Sequence, residues 1–196
     1  MWKNKTPGIP DEQFERTEDV PITKEEIRAL QISKARLCPG QTVYDIGCGS
    51  GSISVEASIQ IESNGKVFAI DIDPNATELT KKNLEKFGLS NVKVILGNAK
   101  EKISDLPEAD AIFIGGTGGD TQKIIELCQN KLKPGGRIVI GVILIETLYS
   151  VISIMEKLNF TSVDITQITI SKSRKTSTGT MMLARNPVTI ISATKT

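Results

Sequence analysis

Val43-Tyr44-Asp45-Ile46-Gly47-Cys48-Gly49-Ser50-Gly51 decides the fold of this chain. A β-branched and aromatic run containing an acid gives way to three alternating glycines, and a helical pattern follows over residues 52–61. The reading is a strand, a tight turn and a helix whose first backbone amides face the strand end. Glycines suit that turn because a Cβ would block close approach of a ligand to the backbone. A dinucleotide site is the natural competitor, but its fingerprint is Gly-x-Gly-x-x-Gly. Here the third glycine, Gly51, comes one residue early and gives Gly-x-Gly-x-Gly.

Around this stretch, short apolar strands alternate with amphipathic helices. Residues 42–46, 66–70, 92–96, 111–114 and 137–144 read as strands, and 52–61, 74–87, 120–131 and 148–158 as helices. That alternation requires a mostly parallel sheet covered on both faces, a doubly wound α/β fold. Upstream, Thr23-Lys24-Glu25-Glu26 has the spacing of a capping box and predicts a helix over 24–36. Residues 1–22 carry prolines and no helical period, so an extended arm is expected there, a tail or a lid. Downstream, 163–171 and 180–192 are strand-like around a polar, basic turn, which predicts an antiparallel hairpin closing the sheet edge. With no internal repeat and no shift in composition, residues 1–196 are expected to form a single domain.

Composition narrows the function. The 24 Lys and Arg nearly balance 23 Asp and Glu, and a net charge of +1 gives no sign of a nucleic-acid or membrane partner. The longest apolar run, residues 138–145, is far shorter than the ~20 residues a bilayer span needs. Three cysteines without an apolar N-terminal signal fit a reducing cytoplasm. The chain has no histidine, which excludes Ser-His-Asp and Cys-His catalysis and every zinc site that needs imidazole; no metal is expected.

Two further elements accompany the glycine turn. Asp71 ends the strand of Ala69-Ile70-Asp71-Ile72-Asp73-Pro74, where a carboxylate can take both hydroxyls of a ribose, while Asp73 before Pro74 reads as a helix cap. Gly97-Asn98-Ala99 follows the next strand. Together the three resemble the S-adenosylmethionine site of the class I methyltransferases, with 45–51 as its motif I, Asp71 at the ribose and the 97–99 turn at the adenine edge. Cys48 lies in the loop without a Lys, Arg or metal to activate it in the local sequence, and reads as a spacer.

After the fourth strand comes Gly115-Gly116-Thr117-Gly118-Gly119, where this superfamily handles substrate; its glycines leave room for something large and flat. Near the C-terminus Lys172, Arg174, Lys175 and Arg185 flank a hydroxyl-rich turn suited to carboxylates or phosphates, or to plain solvation. With Pro7-Gly8-Ile9-Pro10-Asp11, residues 23–28 and Gly179-Thr180-Met181-Met182, these motifs make the chain resemble the decarboxylating cobalt-precorrin-6B C15-methyltransferase family of cobalamin biosynthesis. The resemblance runs over about residues 7–191 and implies a tetrapyrrole substrate, loss of carboxylate from an acetate side chain, and a homotetramer. Carried over by position, Thr23, Gly47, Cys48, Gly49, Ser50, Gly51, Asp71 and Ala99 contact S-adenosylmethionine. Gly115 to Gly119, Thr117 included, hold the ring and Arg174 and Arg185 its carboxylates, while Glu146 or Tyr149 assists proton movement. The competing expectations are a transfer RNA or other small-molecule methyltransferase, and a non-catalytic S-adenosylmethionine-binding module.

Overall fold

The computed structural model describes Trp2 and residues 4–196. Met1 and Lys3 of the predicted arm lie outside the described residues. The elements in chain order are α1 (Glu25–Ala35), β1 (Thr42–Ile46), α2 (Ser52–Ile61), β2 (Lys66–Asp71), α3 (Pro74–Phe87), β3 (Val92–Leu96) and α4 (Ala99–Lys102). Then follow β4 (Ala109–Ile114), α5 (Thr121–Lys131), β5 (Leu132–Val142), α6 (Ile145–Lys157), β6 (Thr161–Ile168), β7 (Ser171–Lys175), β8 (Thr180–Ala184) and β9 (Val188–Thr194).

Seven strands form one sheet in the order β3-β2-β1-β4-β5-β9-β6. The first five run parallel, and β9 inserts antiparallel between β5 and β6. Period-two alternation sends Val43, Val67, Ala111 and Val139 to one face, where they meet Ile27 and Ile32 of α1 and Ile53 and Ala57 of α2. Tyr44, Ile112 and Ile138 point the other way, against Ile124 and Ile125 of α5 and Ile154 of α6. The chain reverses its winding between β1 and β4, and in open α/β sheets that switch point leaves a crevice at the strands' C-terminal ends.

The antiparallel C-terminal hairpin is present as β7 and β8, paired in a two-stranded ribbon, and the strands on either side of it, β6 and β9, extend the main sheet antiparallel to each other. Two expectations need correction. The capping box does not form, since Lys24 is the N-cap of α1 without a side-chain bond and Glu26 instead pairs with Lys172 at 2.6 Å and Arg185 at 3.4 Å on the ribbon. The N-terminal arm is not set apart from the core, because Ile9 and Phe14 are buried against Val55, Leu84 and Phe87, and Val20 against Ala76 and Leu79. A buried ion pair fastens it. Arg28 donates to Glu56 at 2.6 Å, lies 3.3 Å from Asp11 and donates to the carbonyls of Ile9 and Thr23, and Glu56 accepts the Gly8 and Ile9 amides at 2.9 Å.

Candidate active site

Three adjoining cavities of about 400, 340 and 160 Å³ occupy the switch-point crevice, and Gly47 and Gly116 line all of them. The loops that carry these glycines touch through backbone. Gly47 sits at φ 72°, and a Cβ there would come within 2.5 Å of the Gly116 carbonyl, so no other residue fits. The Gly115 amide donates to the Ile46 carbonyl at 2.8 Å, tying the end of β4 to the end of β1.

Asp71, at the tip of β2, lines the two smaller cavities. Its Oδ2 accepts the Gly49 amide at 2.9 Å and its Oδ1 the Asp73 amide at 3.0 Å, which fixes the carboxylate beside the glycine loop. The smallest cavity lies between Ile72, Ala99 and Thr117. Asn98 caps α4 by accepting the Lys100 amide at 3.0 Å, and this holds Ala99 at the wall. Asp73 caps α3 by accepting the Asn75 amide at 2.8 Å, as its position before Pro74 predicts.

The largest cavity contains a buried acid. Asp45 is nearly enclosed, and burial pushes its carboxyl up to about 6; the Ser54 hydroxyl, donating at 2.5 Å, opposes that rise and nearby Asp71 adds to it. A carboxylate there has no cation partner among the described residues. Pro21 and Thr23 of the strapped arm wall both larger cavities, and the Ser50 amide donates to the Pro21 carbonyl at 3.2 Å. The arm is thus part of the site.

Other expected residues stand elsewhere. Ser50 and Gly51 line none of the three cavities. Ser50 is buried with its carbonyl accepting from Asn83 at 2.9 Å, and a Cβ on Gly51 would strike Thr80 at 2.7 Å, so both serve packing beneath the loop. Cys48 does line two cavities, but burial drives its thiol far above the ordinary range, in keeping with a spacer and not a nucleophile. Thr117 and Gly118 border the smallest cavity and so face the same space as Ala99, while Gly119 lies outside. Arg185 is engaged with Glu26, and neither it nor exposed Arg174 reaches the cavities. Glu146 and Tyr149 lie on the exposed first turns of α6, Tyr149 with 75% of its surface free, and neither lines the crevice. Asp45, Ile72 and Gln31 were not read as site residues. Asp45 could have been, as the acid that opens the glycine motif; Ile72, an isoleucine between two aspartates, was a weaker signal, and Gln31 gave none.

A parallel sheet with β9 inserted antiparallel, and a crevice at its switch point bounded by two acid-bearing strands, define a Rossmann-like methyltransferase. The comparisons with known proteins specify which kind. The model of the precorrin methyltransferase domain family matches residues 12–195, and the chain belongs to that family. A Saccharolobus solfataricus protein named "probable cobalt-precorrin-6B C(15)-methyltransferase (decarboxylating)" is 48% identical over 196 residues, 99% of this chain and 98% of its own. Among solved structures, the precorrin 8w decarboxylase of Methanobacterium thermoautotrophicum superposes with a TM-score of 0.89 at 37% identity, covering 94% of this chain and 98% of its own. The Geobacter metallireducens precorrin-6Y C5,15-methyltransferase gives 0.90 at 36%, covering 97% and 98%. A transfer RNA (m1A58) methyltransferase from Aquifex aeolicus, at 19% identity, shares the fold alone.

Proposed function

We propose that this chain transfers a methyl group from S-adenosylmethionine to C15 of cobalt-precorrin-6B and removes carbon dioxide from the ring C acetate side chain. The observation that carries the reading is the run of three joined cavities with Asp71 and Asp45 along it, in a chain of the precorrin methyltransferase family. The donor set suits an adenosyl sulfonium: an apolar slot at Ile72 and Ala99, a carboxylate at Asp71 for ribose hydroxyls, and an unpaired acid at Asp45 for positive charge. Thr23, Gly47, Cys48 and Gly49 complete that wall. When bound, S-adenosylmethionine supplies an activated methyl group, so the protein needs no strong base.

The residues of the chain position and dry the site. Asp45 would offer negative charge to the positive charge of a bound cofactor, in a pocket where low dielectric would strengthen the attraction. Ile27, Phe113 and Val188 exclude water from the space facing it. Gly115 and Gly116 bring bare backbone against the same space, room for a macrocycle to lie flat. The proposed setting is the cytoplasm, consistent with three free cysteines, and no helix among the described residues is long and apolar enough to cross a membrane. A homotetramer is proposed from the family resemblance, supported by the exposed apolar side chains of Met181, Met182 and Leu183 on the ribbon. The test is anaerobic incubation of the protein with S-adenosylmethionine and cobalt-precorrin-6B, followed by mass spectrometry of the product. Gain of one methyl group with loss of carbon dioxide is expected; a substrate unchanged in mass refutes the reading.

A further inference from the structure

The largest of the three crevice cavities holds a polar group that cofactor binding does not account for. Gln31, on α1, is only 6% exposed, and the exposed part of its side chain lines the cavity. Its Nε2 lies over Gly141 of β5, where a Cβ would collide with it, so the glycine in that strand makes room for the amide. Around it the walls are apolar, with Ile27, Phe113, Ile143 and Val188. Lys24 borders the same cavity but is half-exposed and directed to Asp11 at 3.7 Å. An amide on an otherwise apolar wall offers whatever enters the cavity a directed hydrogen-bond donor, and a polar group placed there is fixed in orientation by it.

Building on the function proposed above, we infer that Gln31 is a specificity-determining residue whose amide donates to the acetate carboxylate that the substrate loses as carbon dioxide. A neutral donor suits that task. An arginine or lysine would stabilise the charged carboxylate and oppose its conversion to a neutral gas, whereas an amide orients it without neutralising it. The dry apolar walls withdraw the water that otherwise stabilises the ground state. In the step itself the bond between the side-chain methylene and the carboxyl carbon breaks, and carbon dioxide leaves. The bond's electron pair passes into the conjugated ring, and one proton from water is taken up at the exocyclic carbon, which becomes a methyl group. Charge and atoms balance without an oxidant or reductant.

The test replaces Gln31 with Met, of similar length and without the donor, and separately with Glu, which sets a like charge against the carboxylate. Release of labelled carbon dioxide from carboxyl-labelled cobalt-precorrin-6B is followed beside cofactor affinity by calorimetry and the melting temperature. For Gln31→Met, carbon dioxide release is expected to fall at least about tenfold while the cofactor Kd stays within about twofold. Gln31→Glu should lose at least as much, again with cofactor binding retained. A smaller fall in both variants, or a fall matched by lost cofactor affinity, overturns the assignment and in the second case gives Gln31 to the cofactor. Wild-type protein that binds S-adenosylmethionine yet releases no carbon dioxide overturns the parent reading as well, and the wild-type arm alone reveals it.

Discussion

Burial of the Asp45 carboxyl carries a cost to stability. Its carboxyl titrates near 6 in the folded chain against 3.8 as its ordinary value, chiefly through burial, so the folded protein binds a proton more tightly than the unfolded chain. Stability from this group is therefore greatest at and below about pH 4 and falls as pH rises towards 6, by at most about 3 kcal/mol. Asp45→Asn should accordingly unfold at higher denaturant than wild type at neutral pH and at the same denaturant near about pH 4. The same substitution should weaken S-adenosylmethionine binding at neutral pH by roughly 10- to 100-fold, the worth of a charge-assisted contact. Wild-type affinity should tighten between about pH 5 and 7 as Asp45 ionises, and the variant's should not; calorimetry across that range checks both. Cys48 gives a second prediction at this scale. With its thiol held neutral by burial, alkylation of the native protein should modify exposed Cys38 and spare Cys48 and Cys128 until the chain unfolds, as peptide mass mapping would reveal.

The elements differ in how firmly they are tied, and the ties run between segments far apart in sequence. Arg28 of α1 and Glu56 of α2 are both buried, and together they hold the arm whose Pro21 and Thr23 wall the crevice. Removing one member leaves an uncompensated charge in the core, so Arg28→Met should cost about 3–5 kcal/mol in denaturant unfolding. Adding Glu56→Leu should recover part of that loss, and both variants should bind cofactor more weakly because the Thr23 wall is no longer fixed. By contrast, Lys172 and Glu26 are about a third exposed, and Glu26→Gln should change stability by less than about 1 kcal/mol. The sequence made the local ties legible: the glycine turn, the Asp73 cap before Pro74 and the strand of Val43 are written in neighbouring residues. The strap was not legible, because nothing near Arg28 points to Glu56, and Thr23-x-x-Glu26 imitated a cap while Glu26 was committed to a ribbon some 150 residues away.

In the whole molecule the parallel sheet follows from alternating apolar runs, but the site depends on what crosses the strand ends. Asp71 and Ala99 could be placed from sequence because each sits at the tip of a strand or just after one. Gln31 could not, since its meaning comes from Gly141 beneath it on a strand separated from it by four others in the chain. The ribbon's ties were hidden for a related reason: Lys172 and Arg185 pair with Glu25 and Glu26 of α1, far away in sequence, and apolar side chains stand exposed on the same ribbon. Met182 is 63% exposed there, and Ile145 at the start of α6 is 80% exposed. Side chains of this kind are costly to leave in water, and a second copy of the chain is the occupant that the proposed tetramer supplies. Wild-type protein is then expected to sediment as a tetramer, and Met182→Glu as a smaller species. The ribbon's residues line none of the crevice cavities, so cofactor affinity in that variant should remain within about twofold of wild type. A wild-type monomer would remove the ribbon from assembly altogether, while a dissociated variant that also lost its cofactor would mean that the crevice is complete only between subunits.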